Sequence, residues 1–161
     1  METSSKLQHK LRSILNGNAW YGSPVYTIID GVTFEAAYEK AEGASHSIAA
    51  IVLHMLAWTE EVAGRLQGEP AAAPKRGDWP DGGTPDEEKW KHLVSSFKLV
   101  NTDLLKLVGD LPEDRWSKPV NDTRNKYTGY DASYEALIDA LIQHHIYHAG
   151  QIALLNKMIN G

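Results

Sequence analysis

Residues 132–160 read ASYEALIDALIQHHIYHAGQIALLNKMIN, and apolar side chains recur along them every three or four positions. That period predicts one long α-helix with a core-facing stripe. At ~100° per residue, Leu137, Leu141, His144, His148, Ile152 and Leu155 fall within a sector of roughly 80°. Two histidines spaced i, i+4 thus occupy the middle of an apolar face and are expected to point inward. An imidazole in a core is costly unless its nitrogens are paired, and two neighbouring ones double the difficulty. A shared metal ion resolves it, because neutral imidazole is a common ligand for zinc, nickel and iron. A lone core histidine is usually structural and hydrogen-bonded, whereas a buried His-x-x-x-His pair without a purpose is rarer. The pair is not the His-Glu-x-x-His of zinc proteases, since position 145 is histidine. Haem is also disfavoured, because two residues on one helix face cannot ligate opposite sides of one iron. His145 projects near the edge of the stripe, where it is expected to support a ligand or lie at the surface.

Working outward, three more long helical segments precede this one. Leu7, Leu11, Ile14 and Leu15 mark the first, over about residues 4–17, with Gly17-Asn18 as its stop. Pro24 and the β-branched run Thr27-Ile28-Ile29 predict an extended or turn-rich connection over residues 20–31, and Thr33 is a candidate cap for a short helix. The second long helix spans about residues 45–67, with Ile48, Ile51, Met55, Trp58, Val62 and Leu66 as its stripe. An Ala-, Pro- and Gly-rich loop follows to about Pro85. It carries Asp78-Trp79-Pro80, which could form a lid or a plain surface loop anchored by Trp79. Thr84-Pro85-Asp86-Glu87 opens the third long helix with a cap, a proline in the first turn and carboxylates near its positive end. A second polar loop covers about residues 113–131. No internal repeat or strand-like alternation occurs, so the expectation is an all-α fold, an antiparallel four-helix bundle with long inter-helix loops, in a single domain over 1–161.

Composition narrows the function classes. The chain has 161 residues, 42% of them apolar and 23% charged, which suits a soluble globular domain large enough to fold without a staple. It has no cysteine, which excludes a disulfide framework, a thiolate zinc site and a cysteine nucleophile. The net charge is −5 and the basic residues are scattered, so no nucleic-acid or membrane-surface footprint is expected. The opening residues lack the basic start and apolar run of a signal peptide, and a cytoplasmic location is expected.

A third ligand should come from another helix. His54 lies mid-helix among apolar neighbours, though at the edge of its stripe beside Trp58 and Glu61. His46, near the start of that helix, is the alternative; His9 and His92 lie in more polar surroundings. Glu61 is one turn beyond Trp58 and reads as a solvated surface carboxylate more readily than as a general base. Gln151 follows His148 at i+3 and could orient it. Arg124, Lys126 and Tyr127 in the second loop could meet an anionic substrate.

His54-Met55-Leu56-Ala57-Trp58, His144-x-x-x-His148-Ala149-Gly150-Gln151-Ile152, and Trp20-Tyr21-Gly22-Ser23 leading to Ala44-Ser45-His46-Ser47-Ile48 resemble the DinB-like (YfiT-like) superfamily of metal-binding four-helix bundles. The resemblance implies three histidine ligands, His54, His144 and His148, around a divalent metal ion, zinc or nickel. It implies a small-molecule substrate, with S-transferases and isomerases that use low-molecular-weight thiols among the relatives, and a homodimer. The expected function is therefore a metal-dependent enzyme with an open coordination position, a thiol-dependent S-transferase or a hydrolase. The alternative is a non-catalytic bundle whose metal is structural or adventitious.

Overall fold

The computed structural model describes residues 2–121 and 132–161. Arg124, Lys126 and Tyr127 lie outside the described residues. Among the described residues six α-helices account for the regular structure: α1 (Thr3–Asn16), α2 (Val25–Asp30), α3 (Phe34–Tyr38), α4 (Ile48–Leu66), α5 (Glu87–Asp110) and α6 (Tyr134–Asn160), with a 3-10 turn at Glu113–Arg115. The chain is all-helical among the described residues, where strand pairing is limited to one isolated bridge between Pro119 and Ser133. No described helix is long and apolar enough to cross a membrane.

Three of the four long helices start on side-chain caps. Ser47 accepts from the Ala50 amide, Asp86 from Lys89 and Ser133 from Ala136, each satisfying a backbone donor that the helix itself cannot. The cap of α5 is thus Asp86, and Thr84-Pro85 stay outside the helix rather than opening it. The carboxylate is the better acceptor next to a positive helix end, where Glu87 and Glu88 follow it.

α4 packs against both α5 and α6, and α1 closes the other side against the same two helices. Leu7, Leu11 and Leu15 of α1 meet Ile48, Met55 and Leu56 of α4, Phe97 and Leu104 of α5, and Ile138 and Ile152 of α6 in one continuous core. Each such side chain contributes roughly 1.5–3 kcal/mol by leaving water. The connection over 20–31 is not extended throughout, because Val25–Asp30 is helical. Val25 and Ile29, one turn apart, are both buried against the core, and α2 rests on α6 and α1. That burial outweighs the few tenths of a kcal/mol by which β-branched residues disfavour helix.

The described parts of both long loops are tied to the rest of the chain. The Ala71 amide donates to the Asn121 carbonyl at 2.7 Å, tying one loop to the other. Trp116, in the second loop, is buried, and its indole N–H donates to Ser4 Oγ at 2.7 Å. Ser4 in turn donates to the Leu111 carbonyl at 2.8 Å. One hydroxyl on the first turn of α1 therefore ties the C-terminal end of α5 to the buried indole in the loop beyond it. Ser4→Ala leaves the Trp116 N–H without an acceptor and should cost about 1–3 kcal/mol. Urea denaturation should show the loss as a lower midpoint, and an unchanged midpoint would contradict the role given to this hydroxyl.

Candidate metal centre

His54 comes from α4 and His144 and His148 from α6, and their ring nitrogens come together within 4.8 Å of one another. His54 Nε2 and His144 Nε2 are 3.0 Å apart. The ring centroids of His54 lie 4.9 Å from His144 and 4.8 Å from His148, and the two α6 rings are 4.4 Å apart. His54 and His148 are buried and His144 is half-buried.

The neighbours of these rings decide where their protons are. His54 Nδ1 faces the backbone carbonyl of Asp78. A carbonyl only accepts, so Nδ1 carries the hydrogen and Nε2 keeps its lone pair. His148 Nδ1 meets Gln151 Oε1 at 2.7 Å and donates to it, which frees His148 Nε2. Gln151 therefore orients a ligand candidate rather than filling polar space. Burial lowers the pKa of His144 to about 4, with His148 and His54 adding to the shift, and burial also lowers that of His148. His144 and His148 are thus held toward their neutral forms, and the His54 and His144 Nε2 atoms lie at hydrogen-bond distance from each other.

A divalent ion fits that arrangement. Histidine nitrogens ~2.0–2.1 Å from one tetrahedral zinc stand roughly 3.3 Å apart, near the 3.0 Å between His54 and His144 and inside the 4.8 Å that bounds the group. Uncharged nitrogen donors without thiolate or carboxylate suit zinc or nickel. His144 Nδ1 is buried with no partner among the described residues, a polar cost of the kind that function sustains.

The loop after α4 builds the third side. Gly77 adopts φ +92°, a left-handed turn that a side chain would strain, and delivers Asp78 and Trp79 onto α4. Asp78 Oδ1 accepts from the Trp58 indole at 2.7 Å. Trp79 stacks on His54 at 3.8 Å with 4° between the planes, and on His46 at 3.7 Å and 3°. The loop is thus anchored by Trp79, as one of the two sequence readings had it, and the anchor falls on the histidine cluster itself. His46 is brought near but lies beyond Trp79, outside the group of three.

Three expectations need correction. His145 is fully buried, neither at the surface nor bonded to a clustered histidine: its Nε2 bonds Asn101 Oδ1 at 2.9 Å, and its ring packs edge-on against Phe97. The core-facing centre of α6 runs through Ile138, Leu141, His145, Ala149 and Ile152, so His144 falls on its flank rather than at its centre. α6 is apolar over a wide arc because α1, α2 and α4 all press on it, and a narrow stripe misplaces the middle. Glu61 is not a solvated surface carboxylate. Its side chain is only 9% exposed and pairs with the buried Arg65, while also accepting from the Ala72 amide at 3.3 Å. His9 and His92 are exposed. Sequence reasoning missed Asn101, a polar residue at a buried position of α5, which was the available signal for a partner to His145.

Two cavities flank the cluster. One, of about 380 Å³, includes Trp58, Val62, Leu137, Leu141 and His144 in its walls. The other, of about 430 Å³, lies against His46, Trp79, Tyr147, His148 and Gln151. Both fall in the range of small-molecule pockets.

The DinB superfamily family model matches residues 25–152, a stretch that carries all three clustered histidines. The chain belongs to the DinB superfamily. Comparison with curated proteins and with solved structures returned no match. The superfamily match leaves α1 outside its bounds but takes in α2 to α5 and most of α6.

The buried histidines make stability depend on pH. In the metal-free protein His145 stays neutral until about pH 3, because burial lowers its pKa, whereas in the unfolded chain it takes up a proton near pH 6.5. Stability is then fully present above pH 6.5 and declines as the pH falls from there. The slope is up to about 1.4 kcal/mol per pH unit for His145 alone, and His144 and His148 add in the same direction. Denaturation midpoints should fall between pH 7 and pH 5, above the range where carboxylates titrate. A flat profile over that interval would contradict neutral burial of these rings.

Proposed function

We propose that this chain is a metal-dependent enzyme acting on small molecules, with one zinc or nickel ion held by His54, His144 and His148 inside an antiparallel four-helix bundle. The observation that carries the reading is the meeting of three imidazole nitrogens, one from each histidine, within 4.8 Å. When bound, such an ion supplies a Lewis acid that lowers the pKa of a water or thiol ligand. The protein's own groups do the rest. The Asp78 carbonyl and the Gln151 amide hold His54 and His148 in the tautomers that present Nε2. Trp79 covers one face of His54. Glu61 and Asp78 are engaged with Arg65 and Trp58, so neither is the general base of this reading.

Three protein ligands leave room for a further one, the pattern of catalytic rather than structural zinc, and no fourth histidine or carboxylate joins the group among the described residues. Two separate cavities, one reaching His144 and one reaching His148, favour a reaction of small molecules at the cluster over a non-catalytic bundle with a sealed metal. A low-molecular-weight thiol as one partner follows from the resemblance to thiol-using relatives, and the absence of cysteine leaves no internal thiol to compete. A cytoplasmic homodimer belongs to the same reading. Tyr147, Leu154 and Met158 are exposed within a sector of roughly 40° on α6, a face that a second copy could cover.

Untagged protein should retain about one zinc or nickel ion per chain. His148→Ala should lose it while keeping a helical circular dichroism spectrum, and Gln151→Ala should weaken it by ~10–100-fold. Thiol conjugation of electrophilic test substrates should depend on the ion and vanish in His148→Ala. Wild-type protein that binds no ion at stoichiometric level, under neutral conditions without chelator, would sink this reading.

A further inference from the structure

We infer that Trp79 is a positioning residue of the histidine cluster, the middle of a three-ring clamp that fixes the plane and tautomer of His54. The inference rests on the metal reading for its purpose but on the ring geometry for its substance. Both imidazoles lie parallel to the Trp79 indole with centroids less than 4 Å away, His46 at 3.7 Å and His54 at 3.8 Å. Two rings so placed on one face would overlap, so they cover opposite faces. The order is therefore His46, Trp79, His54.

The clamp answers a problem that α4 cannot solve alone. His54 belongs to the edge of the α4 stripe, where a histidine ordinarily turns toward water and samples several rotamers. Here it is 5% exposed. Trp79 lies over one face of the ring, the Asp78 carbonyl engages Nδ1 and His144 faces Nε2. Trp79 also stands edge-on to His148 at 5.9 Å, so it touches two of the three clustered rings. Its own position is fixed on the far side by His46, which precedes the Ser47 cap, and its neighbour Asp78 is fixed by the Trp58 indole. His46 and His54 both come from the first half of α4 or the residues just before it. The Trp79 between them arrives from the loop that leaves the other end of the helix. A side chain that locks a ligand's ring reduces the ordering needed when the ion arrives, which is how groups beyond the ligands commonly raise metal affinity.

Long-range ¹H–¹⁵N NMR of the histidine rings in metal-free protein tests this directly. Wild-type His54 should show a single tautomer protonated at Nδ1, with ring protons shifted upfield by the indole. Trp79→Ala should average the tautomers and remove the upfield shift, while the His145 signals stay in place as a control for folding. Trp79→Phe should restore both features in large part, and His46→Ala, which leaves Trp79 present but unsupported, should move them partway. With Ni²⁺ titrated into untagged protein, Trp79→Ala should bind ~10–100-fold more weakly and Trp79→Phe within a few-fold of wild type. Quenching of tryptophan emission by Ni²⁺ should shrink in Trp79→Phe even though the ion binds. Unchanged His54 tautomer and shifts in Trp79→Ala would overturn the inference, as would undiminished Ni²⁺ affinity in that variant. If wild type takes up no ion, the metal reading fails, and the NMR comparison alone decides the role of Trp79.

Discussion

Three imidazole rings share one small volume between α4 and α6, with burial disfavouring protonation of His144 and His148, and much of the surrounding structure serves that crowding. Neutral rings crowded together must present a hydrogen or a lone pair at every nitrogen. The Asp78 carbonyl and the Gln151 amide take the hydrogens of His54 and His148, so the lone pairs point at the same place. Without an added charge, a single hydrogen between His54 and His144 is the most the protein can offer there. A cation that accepts all three lone pairs relieves the arrangement, and the superfamily match covers the very segments that create it.

The helices supply the rigidity that such a site needs. α6 places His144 and His148 on successive turns, and Leu141 and Ile152 anchor the helix in the core on either side of them. α4 brings His54 opposite and is itself held by α5 and α6. The loop after α4 then converts a helix edge into an interior. Gly77 turns the chain, Asp78 and Trp79 close on His54, and the Ala71–Asn121 backbone bond ties the start of the loop to its neighbour. The functional side chains are thus shared between rigid helices and a loop that is pinned at several points.

Features governed by local periodicity were legible in the sequence. The i, i+4 spacing gave the α6 pair and the stop signals the ends of the long helices, while the third member stayed open between His54 and His46 until the family resemblance implied His54, which the structure groups with the pair. Features governed by what lies on the other side of a helix were not. The pattern of α4 places His54 at a stripe's edge because a helical wheel counts only helix-to-helix contacts, and the burial comes from a loop. The same blindness made Glu61 look solvated, since its partner Arg65 is on the same helix but its cover, Ala72, is on that loop. For α2, local propensity argued against helix, and the burial of Val25 and Ile29 decided otherwise. For His145, a narrow stripe hid the fact that α6 is packed on three sides.

The central claim is that His54, His144 and His148 share one ion, and anomalous diffraction from crystals of zinc- or nickel-loaded protein tests it most directly. The account predicts one strong anomalous peak per chain, with one nitrogen of each of the three rings at about 2.0–2.2 Å and His46 and His145 unligated. A peak elsewhere on the molecule, or an ion held by the α6 pair with His54 turned away, would contradict it.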